Sequence, residues 1–468
     1  MLDKLRNISE EQTQKLIFIG LAAVMFVLPL PQLFLPEDKR AIAMQATVLM
    51  FALFYFVFLL VIEGVNRRIS VKGSPITVKC LAGLSMVGIL SVILSKYKFI
   101  ALYGSWIRYE GLFSLLAYYS IYLVSALLRN KKYRKWLLWL FLALGSIVAV
   151  LGILQFFGIC TFTGRFPGIA YVPMRNPNFY ASFAVLFLGI AIGGFYLYEK
   201  ESSVTRPFSR WNRWGWYGLV LLGYAACISA TSSVAYVGII MLLLLCVFFE
   251  VVTKQRRIWV PVSLILGFLV LFFVFNRIRN GLVAAEFFSV WNQILEEGSL
   301  FGDSVGSFRM AIWKQTLSLL PEHGLFGCGI DQLAEYCFDG YLGAAVTYFD
   351  KAHNEYLNLW ITEGIFALVF YLIFLFALFI PGLKQFFDGE KKKARKTKDA
   401  AGEEKGVKAA EKERVSDEIS KIAFFAFFGY IAQAFFNISV VQVAPYFWMI
   451  CGLLYRRKRD RDEETVDR

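Results

Sequence analysis

About twelve runs of apolar residues, most of them near twenty residues long, set the limits on what this chain can fold into. They lie near 15–35, 43–64, 76–95, 111–128, 136–157, 179–198, 216–232, 235–252, 258–276, 356–381, 420–440 and 444–456, the last being short. A run of that length spans a hydrocarbon core of about 30 Å. Backbone buried in lipid must satisfy its own hydrogen bonds, so these runs are expected to be helices. Outer-membrane strands would alternate apolar and polar residues, and these runs do not. Composition agrees: 58% of the 468 residues are hydrophobic and 18% charged, against about 45–50% and about 25% in soluble domains. The expected fold is an all-α polytopic membrane helix bundle of about twelve transmembrane helices.

Basic residues orient it. Arg67, Arg68 and Lys72, then Arg129, Lys131, Lys132, Arg134 and Lys135, then Lys200, Arg206, Arg210 and Arg213 all follow even-numbered runs. So do Lys254, Arg256 and Arg257, the charged stretch 384–419 and the tail from Arg456 to Arg459. Both termini are therefore expected in the cytoplasm. The opposite face receives short loops near 36–42, 231–234 and 441–446 and longer ones at 96–110, 158–178 and 277–355. Three parts follow: 1–276 as an N-terminal membrane bundle of about nine helices, 277–355 as an extracytoplasmic loop, and 356–468 as C-terminal membrane helices. A charged cytoplasmic insertion, rich in Lys, Glu and Ala, occupies 384–419 of the last part and reads as a frayed helix or a disordered linker.

The net charge of +14 sits on the cytoplasmic loops, where it fixes topology and faces anionic headgroups. No nucleic-acid partner is expected. No phosphate-binding Gly-Lys loop, zinc spacing or dinucleotide fingerprint occurs, and no cofactor or metal is expected. Cys328 and Cys337 share the outer face and are open either to pairing or to serving as apolar filler.

The loop 277–355 holds both histidines of the chain, His323 and His353. It contains two amphipathic segments. In 285–297, Phe287, Phe288, Trp291, Ile294 and Leu295 make an apolar side; in 308–320, Ser307 is the expected N-cap and Pro321 the stop. Arg309 then falls in a first turn, where free N–H groups, the helix dipole and a guanidinium converge into an anion site. The alternative is an arginine snorkelling at the interface. His353 stands where the chain re-enters the membrane, beside Asn354 and Glu355, and an imidazole there is a candidate proton acceptor. Glu363, further along the run, would face an internal cavity. His323 sits in a glycine-rich turn and reads as a surface residue. On the same face, Arg165 and Arg175 flank Pro/Gly turns before Asn176-Pro177-Asn178, either as anion ligands or as interface residues. Arg108 is a third arginine on the same face, either an anion ligand as well or simply neutralised by the neighbouring Glu110.

At these residues the chain resembles the bacterial O-antigen ligase and polymerase family of integral-membrane glycan transferases. The resemblance runs from Trp106-Ile107-Arg108-Tyr109-Glu110-Gly111 to Pro445-Tyr446-Phe447-Trp448. It is most specific at Arg309, Pro321, Gly327-Cys328-Gly329, His353-Asn354, Leu357 and Glu363-Gly364, with the Asn178 turn as a further element. It implies a GT-C-like fold in the bacterial cytoplasmic (inner) membrane with an extracytoplasmic active site. It also implies metal-independent transfer of a glycan from an undecaprenyl-diphosphate-linked donor to a glycan, lipid or protein acceptor, among membrane lipids. Arg309 would be catalytic and hold the diphosphate together with Arg165, Arg175 and Arg108. His353 would be catalytic at the acceptor hydroxyl or the leaving group, with Asn354, Glu363 and Asn178 in support. The chain departs from the pattern at Thr231-Ser232-Ser233-Val234, where the family often carries an arginine. The other class of function compatible with a many-span chain is a secondary transporter or flippase for a polyanionic or lipid-linked substrate.

Overall fold

In a computed structural model, the structure describes residues 5–35, 39–69, 74–160, 166, 168–200, 213–252, 257–336, 349–396 and 405–455. For 199–200, 388–396 and 405–417 it describes the backbone alone. Among the described residues every regular element is helical. Nine helices there are long and apolar enough to cross a membrane: Glu10–Phe34, Lys39–Val65, Ile76–Leu94, Lys131–Phe156, Pro177–Tyr198, Ser233–Val252, Trp259–Ile278, Ile365–Phe387 and Glu418–Phe436. Leu112–Leu127 and Ala444–Leu454 are shorter apolar helices, and Arg213–Ser229 has 17 residues. All twelve expected runs are thus helical, nine of them with full spanning length.

One expectation changes. The run 356–381 is a helix broken in two, Glu355–Glu363 and Ile365–Lys396. Gly364 at the joint has φ +91°, a left-handed conformation that glycine takes without steric cost. In the charged stretch 384–419, the first helix continues to Lys396 and another begins at Lys405.

The helix Pro177–Lys200 is the hub. Its apolar stretch is wholly buried, packed by Arg213–Ser229, Ser233–Val252 and Lys405–Gln433. Small residues make the closest approach possible: a Cβ on Gly189 would stand 2.5 Å from Ala426 Cα, and one on Gly193 3.0 Å from Ile422 Cα. A small-xxx-small pair lets two backbones meet, which is how helices associate where lipid removes the hydrophobic drive. Large apolar side chains such as Phe51, Phe54, Met86 and Phe273 point outward, as a lipid-facing surface requires and a soluble one avoids.

The two ends of the bundle are segregated. At one, Arg129 bonds Glu10 (2.5 Å), Glu63 (3.4 Å) and the Arg68 carbonyl (3.0 Å). At the other, Lys39 stacks on Trp106, Arg279 donates to the Gly168 carbonyl, and Asn437 donates to the Asn178 carbonyl. Loops assigned to one face by their charge therefore meet each other.

Candidate functional site

The described part of the large loop has its own small core: Ile312, Leu319, Cys328, Leu333, Phe349, Ala352, Leu357 and Ile361. Its Gly327-Cys328-Gly329 turn plugs the broken membrane helix. Cys328 N donates to Ile361 O (2.8 Å), Gly329 N to Thr362 O (3.0 Å), and Ile365 N to Gly324 O (2.9 Å). Carbonyls that a helix end leaves open are thereby satisfied. Gly327, at φ +80°, lies so close that a Cβ would stand 2.2 Å from Thr362 O. The partnership with Cys337 proposed for Cys328 involves a residue outside the described set.

Arg309 opens a helix, Arg309–Ser318, but not as expected. Ser307 is not the N-cap. Gly306, Ser307 and Phe308 are all left-handed (φ 69°, 57° and 67°), and Phe308 stands at the cap with no side-chain bond. The backbone amides of Gly306 and Ser307 go to Gln293 Oε1, those of Arg309 and Met310 to Gly306 O and Val305 O. The nest of free N–H groups is therefore spent inside the loop, and the anion-binding capacity rests on the side chain. That guanidinium is 8% exposed and donates to Phe436 O (3.0 Å) and Gly306 O (2.8 Å), two of its five N–H donors. Burial pulls its pKa down, and the nearby Glu286 partly restores it. Glu286 is itself held by the amide and hydroxyl of Ser233 (3.1 and 3.0 Å), in the turn where the family's arginine is missing. The segment 285–297 is two helices, Leu282–Phe287 and Ser289–Glu297, with Trp291 and Leu295 exposed.

His353 stands immediately before Asn354, the N-cap of the helix Glu355–Glu363. The imidazole is half-buried, and its pKa is pushed down to about 4 by burial and by the charges of Arg309 and Arg108, against Asp350. Arg108 and Arg309, from distant parts of the chain, thus both act electrostatically on His353. An ordinary imidazole titrates near 6.5, so this downward shift favours the neutral form of His353 around neutral pH.

Arg108 is not neutralised by Glu110. Its Nε and Nη2 donate to Asp350 (2.5 and 2.9 Å), a bidentate pair. Glu110 instead accepts from Lys351 Nζ (2.7 Å), Tyr118 Oη (3.1 Å) and Ser439 Oγ (2.6 Å). Lys351 also lies 3.3 Å from Asp331, whose other oxygen accepts from Ser105 N (2.7 Å) and Ser105 Oγ (3.0 Å). Burial works against the Lys351 ammonium, but Glu110 and Asp331 outweigh it and hold its pKa above the usual lysine value. Burial lifts Asp331 above the usual carboxylate range, with Lys351 opposing.

The remaining expected residues have defined places. Asn354 is the N-cap of Glu355–Glu363, accepting from Leu357 N (3.0 Å). Glu363 is 3% exposed, has no partner for Oε2, and lines a cavity of about 60 Å³ with Glu110, Lys351 and Glu355. Asn178 accepts from Ser232 Oγ (2.6 Å) and ties that turn to Asn437. Arg175 is half-buried, left-handed (φ 67°), and two residues before the hub helix. Arg165 lies outside the described residues. His323 ends the short helix Leu320–His323 and packs edge-on to Tyr336.

Lys351, Asp350, Asp331, Ser439 and Tyr118 were not found from sequence. The available hint was Asp350-Lys351, one residue removed from His353, a pair of charges at an expected membrane re-entry point. A groove of about 270 Å³ runs beside the site, lined by Trp313, Leu317, Asn354, Tyr356, Trp360 and neighbouring leucines.

Residues 217–372 match the family model described as O-antigen ligase. The match begins in the helix Arg213–Ser229, contains Arg309, the Gly-x-Gly turn and His353, and ends beyond the break at Gly364. It supports the resemblance drawn from the motifs. No curated protein matches the chain.

Proposed function

Because residues 217–372 match the family model described as O-antigen ligase, we propose that this integral membrane protein is a glycosyltransferase. It moves a glycan from an undecaprenyl-diphosphate carrier to an acceptor hydroxyl on the outer face of the cytoplasmic membrane. The observation that carries this reading is that two arginines from distant parts of the chain, Arg309 and Arg108, both act on the His353 imidazole and hold it in its neutral form.

The chemistry asks for those parts. As the acceptor oxygen bonds to the anomeric carbon, the bond from that carbon to the diphosphate breaks and its electron pair leaves on a phosphate oxygen. Preorganised guanidinium donors stabilise that charge without a metal ion. Arg309 keeps donors beyond those given to Phe436 and Gly306, and a planar fork suits a diphosphate. His353 takes the acceptor proton. Its low pKa in the empty site does not disqualify it, because a bound diphosphate offsets the guanidinium charges that hold it down. The groove beside Asn354 suits the polyprenyl tail, and in this reading Arg175 and Arg165 serve as further phosphate ligands. Glu363, Asn354 and Asn178 support the site from behind.

The test is glycan transfer by the purified protein in lipid, using a lipid-diphosphate donor. His353→Ala is expected to lower kcat by about 10²–10⁴, the range for a positioned acid–base group, while His323→Ala costs far less. Arg309→Lys is expected to recover only part of what Arg309→Ala loses. Equal activity with lysine would rule out fork binding, and an active His353→Ala enzyme would remove the base.

A further inference from the structure

Between the catalytic candidates and the bundle lies a set of buried charges that does no chemistry in the proposal above. His353 has φ 50°, an uncommon backbone for a residue with a Cβ. Such a conformation persists only where the surroundings over-determine it. Here they do so from both sides. On the C-terminal side Asn354 caps a helix. On the N-terminal side Ala352 is fully buried in the small loop core, and its amide donates to Asn358 Oδ1 (3.2 Å). Lys351 is pinned between Glu110 and Asp331, and Asp350 is gripped by Arg108. Glu110 and Arg108 belong to one loop, 104–111, and Glu110 is fixed in turn by Ser439 and Tyr118.

We infer that Lys351, with Glu110 and Asp331, is a positioning group: this buried triple sets the left-handed turn that presents His353 to Arg108 and Arg309. A plain structural role would require only that the charges be compensated. Buried pairs are replaceable by neutral residues with little loss, and often with a gain, in stability, so stability alone does not account for the arrangement. The register of three consecutive residues does. Asp350 and Lys351 each meet a different residue of the same loop, so they fix both the position and the rotation of the segment leading into His353. The inference rests on the proposed role of His353, but its first readout does not depend on activity.

Lys351→Met alone would strand two buried carboxylates, and folding is then at risk. The informative variant is Lys351→Met with Glu110→Gln. It removes one positive and one negative charge, so the direct field at His353 nearly cancels, and Asp331 keeps its two bonds from Ser105. The titratable and charged groups that act on His353 are Arg309, Arg108 and Asp350; all three remain. With histidine labelled for NMR, the chain gives two imidazole signals, and His323→Ala assigns them. In the wild type, His353 is expected to titrate near pH 4. In the folded double variant it is expected to move up toward about 6.5, as the ring leaves the guanidiniums, with kcat lower by on the order of 10²-fold and the donor KM little changed. A folded double variant with unchanged titration and unchanged kcat would overturn the inference. A shifted titration in a protein whose wild type transfers no glycan would uphold the positioning and remove the function proposed above.

Discussion

Acidifying the medium separates a buried imidazole from an exposed one, because the pocket around His353 assigns its titration a definite place. An exposed histidine loses its base form through about pH 6.5. His353 is held to about 4 by burial, Arg309 and Arg108, a difference of about 2.5 units, or about 3 kcal/mol at 1.36 kcal/mol per unit. Two consequences follow with definite signs. The profile of kcat/KM, which reports the free protein, is expected to stay flat from neutrality down to about pH 5 and to fall only near pH 4. The profile of kcat reports the donor complex, where bound diphosphate offsets the guanidinium charge, so its acid limb is expected at higher pH. Stability is coupled in the same direction. Between about 6.5 and 4 the denatured chain binds a proton that the native chain refuses, so the native state loses stability as pH falls through that window. The loss reaches at most about 3 kcal/mol, and less after discounting for the half-exposed ring. Initial-rate measurements on protein in lipid, with donor varied at each pH, give both profiles. An acid limb of kcat/KM at pH 6–7, removed by His353→Ala, would refute the argument, because it would place the imidazole in water.

The sidedness of the bundle predicts that, on a cysteine-free background, Ser299→Cys reacts with an impermeant thiol reagent applied outside the cell while Ala400→Cys does not; the reverse would invert the topology. The plugged helix break predicts that Gly327→Ala destabilises the protein by roughly 1–3 kcal/mol, the scale of a forced backbone conformation, since its φ is +80° and Thr362 O blocks the Cβ. Gly218→Ala, with nothing within 4 Å of its Cβ, is the control and is expected to leave the melting temperature unchanged in the same thermal scan.

The helices were legible because lipid leaves a long apolar run a single solution, and because basic residues punctuate the runs regularly. The break at Gly364 was not legible: apolar residues continue on both sides of Glu363-Gly364, and averaging over a span hides one residue of positive φ. What decides the break lies some forty residues earlier, in the amides of Cys328 and Gly329 that reach the open carbonyls. The start of the Arg309 helix misled for a related reason. Ser307 is a good N-cap by residue type, but Gly306, Ser307 and Phe308 turn left-handed and consume the amides that a cap would have met.

Site residues were legible where chemistry needs a particular side chain and hidden where it needs only a charge in the right place. Arg309 and His353 stood out because a guanidinium and an imidazole are rare at an outer membrane edge. Arg108 stood out too, but its partner was misassigned: proximity in sequence suggested Glu110, whereas folding delivers Asp350, 242 residues away. That exchange changes what each arginine is placed to do. Arg108 spends a bidentate grip on Asp350, three residues before His353, and is committed to that segment. Among the described residues the Arg309 side chain hydrogen-bonds backbone carbonyls alone, and a carbonyl is a weaker competitor than a carboxylate for a guanidinium. An incoming diphosphate therefore displaces partners at Arg309 at lower cost than at Arg108. Under the proposed function this gives a division of labour: Arg309 handles the charge of the donor, and Arg108 holds in place the segment that carries the proposed base.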